Sequence, residues 1–121
     1  MPTLQKKDFA SPDETRKPEK AVVEVVKFGE VTAARMTIQP GWKWSECIKP
    51  VVGTESCQAR HVGVLHSGRM KVVHDDGSEI EVGPGEAYIF EPGHDGWVIG
   101  NEPCVAYEFE SATAASYAKP S

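Results

Sequence analysis

The chain has 121 residues, 40% of them hydrophobic, and carries a formal net charge of −5 from 13 basic and 18 acidic side chains. This length predicts one domain, and an acidic chain without clustered Lys and Arg disfavours nucleic acid or a membrane surface as a partner. No apolar run approaches the roughly 18 residues of a membrane-spanning helix. The three cysteines lack C-x-x-C spacing, and the N-terminus has no apolar signal region, so free thiols in a reducing, cytoplasmic setting are expected.

The two ends of the chain differ in composition from its middle. Residues 1–20 are polar and charged and contain three prolines, so we interpret them as an N-terminal arm. Residues 111–121, with the sequence SATAASYAKPS, are interpreted as a C-terminal tail. The folded domain is therefore predicted to occupy residues 21–110.

Between these ends, short β-prone segments alternate with glycine and proline corners. The dipeptide Asp76-Gly77 is a signal for a two-residue hairpin turn, which would place Val73 opposite Ile80 and point both side chains inward. No segment shows a convincing helical periodicity. The predicted strands are 21–28, 31–38, 58–65, 70–75, 78–82, 87–90, 97–99 and 104–110. Such a series of short strands indicates an all-β fold, either a sandwich or a barrel.

Strand alternation assigns faces to the segment around residues 57–65. Cys57 and His61 fall on one face, beside small residues that would leave room inside a barrel. Val62 and Val64 fall on the opposite face. We therefore expect Cys57 and His61 to point inward and the two valines to contact a second copy of the chain in a homodimer.

The stretch 83–97 places the corner Gly83-Pro84-Gly85 before a short apolar strand and the corner Pro92-Gly93 after it. With the Ser-Gly-Arg corner at 67–69 and the hairpin at 76–77, these corners resemble the cupin superfamily over roughly residues 31–110. The resemblance implies an antiparallel cupin-like β-barrel (jelly roll), usually dimeric and often with a central metal. The segments 40–46 and 92–97 are similar to small single-domain bacterial cupins of unassigned function.

The resemblance also implies where a cupin metal would lie. The first cupin motif places two histidines and then a glutamate before a glycine. Aligned on the glycine of the 67–69 corner, those positions fall on Glu55, Cys57 and His61. The second motif places its histidine on Gly96. The chain departs from the pattern at all four positions, and His94 lies two residues from Gly96 on the same strand face.

His61 and His94 are the leading candidates for catalysis, since two imidazoles at a barrel mouth can hold a metal or act as acid and base. Cys57 and Glu55 are the candidate additional ligands for a divalent metal such as Zn, Fe, Ni or Mn, and Glu46 is a further one. A metal-free barrel is an equal alternative. In that case His61 is a hydrogen-bonded interior histidine, His94 a turn residue and Cys57 a small buried hydrophobe.

Trp42, Trp44 and Trp97 are many tryptophans for so short a chain. Together with Tyr88 they are candidate substrate-binding residues, with indole N–H groups as donors, unless they plug the barrel ends. The sequence thus predicts a cupin-like barrel that binds a small molecule. The first hypothesis for its function is a metal-dependent enzyme that acts on a small polar or aromatic substrate. A non-catalytic ligand sensor without metal is the second hypothesis, and a structural barrel filled by its own side chains is the third.

Overall fold

The computed structural model describes residues 3–109, which form two antiparallel β-sheets. In chain order the elements are β1 (Glu14–Arg16), β2 (Ala21–Phe28), β3 (Val31–Ile38), α1 (Trp44–Cys47), α2 (Lys49–Val52), β4 (His61–Ser67), β5 (Met70–His74), β6 (Glu79–Val82), β7 (Ala87–Phe90), β8 (His94–Val98) and β9 (Cys104–Phe109). The six-stranded sheet has the order β1-β2-β3-β9-β4-β7, and the three-stranded sheet has the order β6-β5-β8.

The two sheets bury their facing sides against each other. Successive side chains of a strand point to opposite faces, so β2 directs Val23 and Val25 inward, and both are 0% exposed. Both sheets contribute to one buried cluster, which includes Val23, Val25, Met36, Ile38, Leu65, Met70, Val72, Val82 and Val98. The all-β prediction is confirmed. The sheets are not closed into a continuous barrel, and the architecture is a β-sandwich.

The predicted register of the hairpin between β5 and β6 is wrong by one residue. Val73 pairs with Glu79 and Val72 with Ile80, because the turn contains three residues instead of two. The backbone N–H of His74 donates to Ser78 at 2.8 Å, and Gly77 has a φ of 94°. This is the geometry of a three-residue turn that ends in a left-handed glycine. Val72 therefore points into the core, whereas Val73 lies on the other face.

The sequence predicted no convincing helix, and the structure contains two short ones between β3 and β4. Each has four residues, which is too short for a helical periodicity to be visible in the sequence. The first turn of α1 is held by β8, since the backbone N–H of Ser45 donates to the Asp95 carboxylate at 3.1 Å. Within residues 3–109, no helix is long and apolar enough to cross a bilayer.

Part of the predicted N-terminal arm contacts the larger sheet. β1 pairs with β2, and the Phe9 ring lies 5.5 Å from that of Tyr107, with the Arg35 guanidinium over its face. The segment thus covers the outer face of β3 and β9. The domain boundary at residue 21 stays a prediction, and the predicted tail at 111–121 lies outside the described residues.

The outer face of the larger sheet also carries the valines predicted to contact a second copy. Val62 and Val64 are half-buried there, and Val62 pairs with Ile89, which is 53% exposed. The homodimer stays a prediction, as does the cytoplasmic setting. The three cysteines are buried and unpaired, as the sequence predicted.

Candidate functional site

Three of the five candidate metal ligands meet between the two sheets. The Sγ atom of Cys57 and one ring nitrogen each of His61 and His94 all lie within 4.8 Å of one another, and the three residues are buried. A backbone bridge sets this arrangement, because the Cys57 N–H donates to the His94 carbonyl at 2.7 Å and joins the segment before β4 to the start of β8. His61 begins β4 and points inward, as strand alternation predicted.

The hydrogen bonds of the two histidines leave both Nε2 atoms available to the cluster. The Nδ1 atom of His94 lies 2.7 Å from the Glu91 carbonyl oxygen. A carbonyl accepts but cannot donate, so Nδ1 of His94 carries a proton, and Nε2 is the ring nitrogen left for the cluster. The Nε2 atom of His61 lies 3.6 Å from the Cys57 sulfur, while its Nδ1 atom is held by another partner.

That partner is Glu108, which was not among the predicted site residues. One carboxylate oxygen lies 2.8 Å from Nδ1 of His61, and the other accepts a hydrogen bond from the Tyr88 hydroxyl at 2.5 Å. Glu108 is 3% exposed. Strand alternation alone would place Glu108 outward, because Val105, Tyr107 and Phe109 form the more apolar face of β9. In the structure, Cys104, Ala106 and Glu108 are buried instead, and Phe109 is 50% exposed.

The electrostatics of the cluster link the thiol to the imidazole. Burial raises the pKa of Cys57, but hydrogen bonds from His61 and His94 outweigh it and lower that pKa from 9.0 to about 6. Burial lowers the pKa of His61, but the Glu108 charge and the Cys57 contact outweigh it and raise that pKa from 6.5 to about 10. In metal-free protein at neutral pH, the pair is therefore a thiolate beside an imidazolium.

We expect the metal-free protein to develop one equivalent of thiolate with a midpoint near pH 6, measured by thiolate absorbance in the ultraviolet. Burial raises the pKa of the Cys47 and Cys104 thiols, that of Cys104 to about 11, so these two stay protonated at neutral pH. Because the folded-state pKa of Cys57 is depressed, its stabilising contribution is present above pH 9.0 and is lost as pH falls through about 6.

Cys57→Ser should abolish this titration step, and Cys47→Ser should leave it unchanged. If the first thiolate forms only near the ordinary thiol pKa of 9.0, the assigned thiolate–imidazolium pair is wrong.

A cavity of about 30 Å³ adjoins the cluster, which gives room for about two water-sized groups. Trp42, Trp44 and Tyr88 line it together with His61 and His94. Three of the four predicted substrate-binding aromatic residues therefore lie in one place. The remaining lining is apolar apart from Glu108 and includes Met36, Ile38, Met70, Val72, Phe90, Gly96 and Ala106.

A wider cleft of about 370 Å³ lies on the other side of His94. It shares Val72, Phe90 and His94 with the inner cavity and also contacts exposed side chains of the β5–β6 hairpin, among them Asp76 and Glu79. His94 thus lies between the buried cluster and a space that reaches the surface.

Three sequence candidates do not join the cluster. The Glu55 side chain is 99% exposed and pairs with Lys49 at 3.4 Å, and Glu46 is exposed on α1. Trp97 lies on the face of β8 that points away from the cavity, with the Lys43 ammonium 5.0 Å from its ring centroid. The structure therefore groups Cys57 with the two histidines and leaves these three residues outside the cluster.

No protein-family model matches the chain, and no curated protein sequence matches it. Solved structures do match. A protein of unknown function from Rhizobium leguminosarum is 20% identical, with a TM-score of 0.63 over 88% of this chain and 95% of that chain. A sugar phosphate isomerase of the cupin superfamily from Silicibacter pomeroyi is 17% identical, with a TM-score of 0.61 over 87% of this chain and 74% of that chain. The chain has the cupin fold.

A third cupin structure comes from a different class of protein. The cupin domain of an XRE-family transcriptional regulator from Enterobacter cloacae is 16% identical, with a TM-score of 0.53 over 75% of this chain and 95% of that chain. An isomerase and a regulator thus share this architecture, and a fold does not determine the chemistry that it carries. The function has to be argued from the cluster and its cavity.

The cluster forms although the metal pattern that the cupin resemblance implies is absent. Cys57 and His61 occupy two positions of that pattern and point inward, while the third position, Glu55, is at the surface. Gly96 occupies the fourth position and lines the cavity without a side chain. His94, two residues earlier on the same face of β8, supplies the imidazole instead.

Proposed function

We propose that this protein binds a small molecule in its inner cavity and holds a divalent metal at Cys57, His61 and His94. The observation that carries the metal proposal is the convergence of one thiolate and two imidazole nitrogens within 4.8 Å. Bond lengths of roughly 2.3 Å for Zn–S and 2.0 Å for Zn–N give an S···N separation of about 3.5 Å in a tetrahedral site. The Cys57 and His61 atoms are already 3.6 Å apart.

The donor types favour zinc among the candidate metals. A thiolate with two imidazoles suits Zn²⁺, whereas Mn²⁺ prefers carboxylate and water oxygens. The contacts behind the ligands fit as well, since metal-bound histidines commonly donate their second N–H to a carboxylate or a backbone carbonyl. Glu108 and the Glu91 carbonyl hold these positions for His61 and His94.

Three protein ligands leave room for a further one, as in zinc sites that act on substrates. A zinc ion held there would polarise a carbonyl or acidify a bound water. The residues of the chain would supply the rest of the site, with Glu108 orienting His61 and the tryptophans packing against the small molecule. These features support a metal-dependent enzyme over a structural barrel.

The metal-free ligand sensor is the second candidate, and a specific observation favours it. Of the four cupin metal positions, Glu55 is at the surface and Gly96 has no side chain. A β-sandwich without these ligands can still bind a small molecule in its cavity. Metal content separates the two candidates.

We expect wild-type protein from medium supplemented with Zn, Fe, Ni and Mn to contain about one zinc per chain, measured by plasma mass spectrometry. His61→Ala removes a ligand and should reduce that content at least tenfold, since even partners behind the ligands are worth 10–100-fold in affinity. His66→Ala is the matched control, because His66 is exposed on the outer face of β4, and it should retain wild-type zinc.

His94→Ala serves as a second ligand variant, and circular dichroism establishes that each variant is folded. Wild-type protein without any of the four metals, or folded His61→Ala and His94→Ala proteins with full zinc content, would contradict the metal proposal.

A further inference from the structure

Two hydrogen-bond donors beside the cluster are not satisfied by any protein group. Among the described residues, the buried side-chain nitrogen and oxygen atoms without a partner are the indole Nε1 atoms of Trp42 and Trp44. The two residues are 4% and 2% exposed, and both line the inner cavity. Buried polar groups are nearly always hydrogen-bonded. Two unpaired donors on residues that line the same cavity therefore indicate that an acceptor belongs beside them.

The local backbone holds both tryptophans on the same side. Lys43, between them, forms a bridge with Trp97 of β8 and places its ammonium over the outward-facing Trp97 ring. Trp42 and Trp44 are therefore directed to the opposite, inner side. Their positions are fixed further, because the Trp42 carbonyl accepts from the Val98 N–H at 3.1 Å and Trp44 begins α1, whose first turn is anchored to Asp95.

The charges around the cavity determine which acceptor fits. His61 and the Glu108 carboxylate already pair with each other in the lining, and no Lys or Arg lines the cavity. The wider cleft likewise has Asp76, Glu79 and Glu91 in its lining and no Lys or Arg. In metal-free protein, a further anion would therefore have no unpaired counter-charge in this buried space. The acceptor is thus an uncharged oxygen, and the apolar remainder of the lining suits an apolar body.

We propose that the indole N–H groups of Trp42 and Trp44 bind the carbonyl oxygen of a small, uncharged and largely apolar molecule, such as a ketone, an aldehyde or an amide. A carbonyl oxygen has two lone pairs and can accept from both donors. Met36 and Met70, whose unbranched side chains adapt to irregular shapes, can adjust to the size of the molecule. This inference rests on one part of the proposed function, the binding of a small molecule in the inner cavity. It does not require the metal.

The test follows the three indole N–H protons by proton–nitrogen NMR in metal-free protein, with formamide and acetone as probes. Both carry a neutral carbonyl and differ in size. The resonance of a proton that begins to donate to a carbonyl moves downfield. The Trp42 and Trp44 resonances should therefore move downfield as the probe is added, and the change should level off at high probe concentration. Trp97 faces away from the cavity and is the internal control, whose resonance should stay in place. Trp97→Phe and the single phenylalanine variants of the other two assign the signals.

Three further measurements test the class of ligand. Trp42→Phe and Trp44→Phe keep an aromatic ring but lose the donor, and each should weaken acetone binding about tenfold. Isobutene, which has the shape of acetone without its oxygen, should not move the indole protons downfield. Acetate should bind at least tenfold more weakly than acetone.

The inference is overturned if neither carbonyl probe moves the two resonances, because the donors then face only packed side chains or a trapped water. It is also overturned if acetate binds as well as acetone. Repeating the titration with zinc-loaded protein separates this inference from the metal proposal. A response of metal-free protein supports the carbonyl site even where zinc is absent from the purified protein.

Discussion

Replacement of Glu108 by alanine is expected to lower the free energy of unfolding by about 3–5 kcal/mol, because one partner of a buried ion pair is removed and the other stays buried. The variant leaves Nδ1 of His61 and the Tyr88 hydroxyl without the carboxylate that now accepts from both. Urea denaturation of the metal-free protein, followed by tryptophan fluorescence, gives this difference.

The pH dependence of the same difference identifies its cause. The pKa of His61 in the folded protein is raised from 6.5 to about 10. The stabilising contribution of His61 is therefore fully present below pH 6.5 and is lost as pH rises through about 10. The gap in stability between wild type and Glu108→Ala should shrink over this range. A constant gap would indicate lost packing rather than a lost charge pair.

Glu24→Ala is the matched control for Glu108→Ala. Glu24 is also a strand glutamate with a charged partner, Arg35, at 2.9 Å, but both side chains are partly exposed. Its removal should cost at most about 1 kcal/mol. If Glu24→Ala and Glu108→Ala destabilise the protein equally, burial of the Glu108 pair does not contribute as proposed.

The inward placement of Cys57 and His61 could be predicted from the sequence for a physical reason. Side chains alternate along an extended chain, so two residues that are four positions apart point to the same side. This holds for Cys57 and His61, which are both buried. The corners around 83–85 and 92–93 were equally informative, since glycine there permits backbone conformations that other residues disfavour. Gly85 and Gly93 indeed have φ values of 83° and 102°.

Other features depended on contacts between distant segments and could not be predicted. The partnership of His61 with Glu108 joins residues 47 positions apart and requires the pairing of β4 with β9. The distinction between Trp97 and the two cavity tryptophans depends on the bridge between Lys43 and β8. The hairpin register failed for a local reason, since Asp76-Gly77 is compatible with two-residue and three-residue turns.

The room for Glu108 comes from a neighbouring glycine. Gly63 pairs directly with Glu108 across β4 and β9. A Cβ atom at Gly63 would collide with the backbone carbonyl oxygen of Tyr107 and lie 2.8 Å from Cγ of Glu108. Real Cβ atoms essentially never approach this closely, so the absence of a side chain at residue 63 is what allows the carboxylate to turn toward His61.

Gly63→Ala is therefore expected to destabilise the protein by at least about 3 kcal/mol, since overpacking a strand pair adds to the displacement of a buried ion pair. Displacing Glu108 from His61 should also move the thiolate midpoint of Cys57 from about 6 toward 9.0, because the imidazolium that stabilises the thiolate loses its carboxylate. Urea denaturation and the ultraviolet thiolate titration measure the two effects on the same metal-free sample.

Gly96→Ala is the matched control, because Gly96 also lies within a strand and lines the cavity, but its Cβ would lie 3.3 Å from the nearest atom, the Lys71 carbonyl oxygen. The Lys71 carbonyl would have to move by only a few tenths of an ångström, and alanine restricts the unfolded chain, so we expect the stability to stay within about 1 kcal/mol of wild type. If Gly63→Ala matches Gly96→Ala in both stability and thiolate midpoint, Glu108 does not depend on the space at residue 63. If Gly63→Ala lowers the stability but leaves the thiolate midpoint unchanged, the space at residue 63 matters for the packing of β4 on β9. In that case the Glu108–His61 pair does not set the pKa of Cys57.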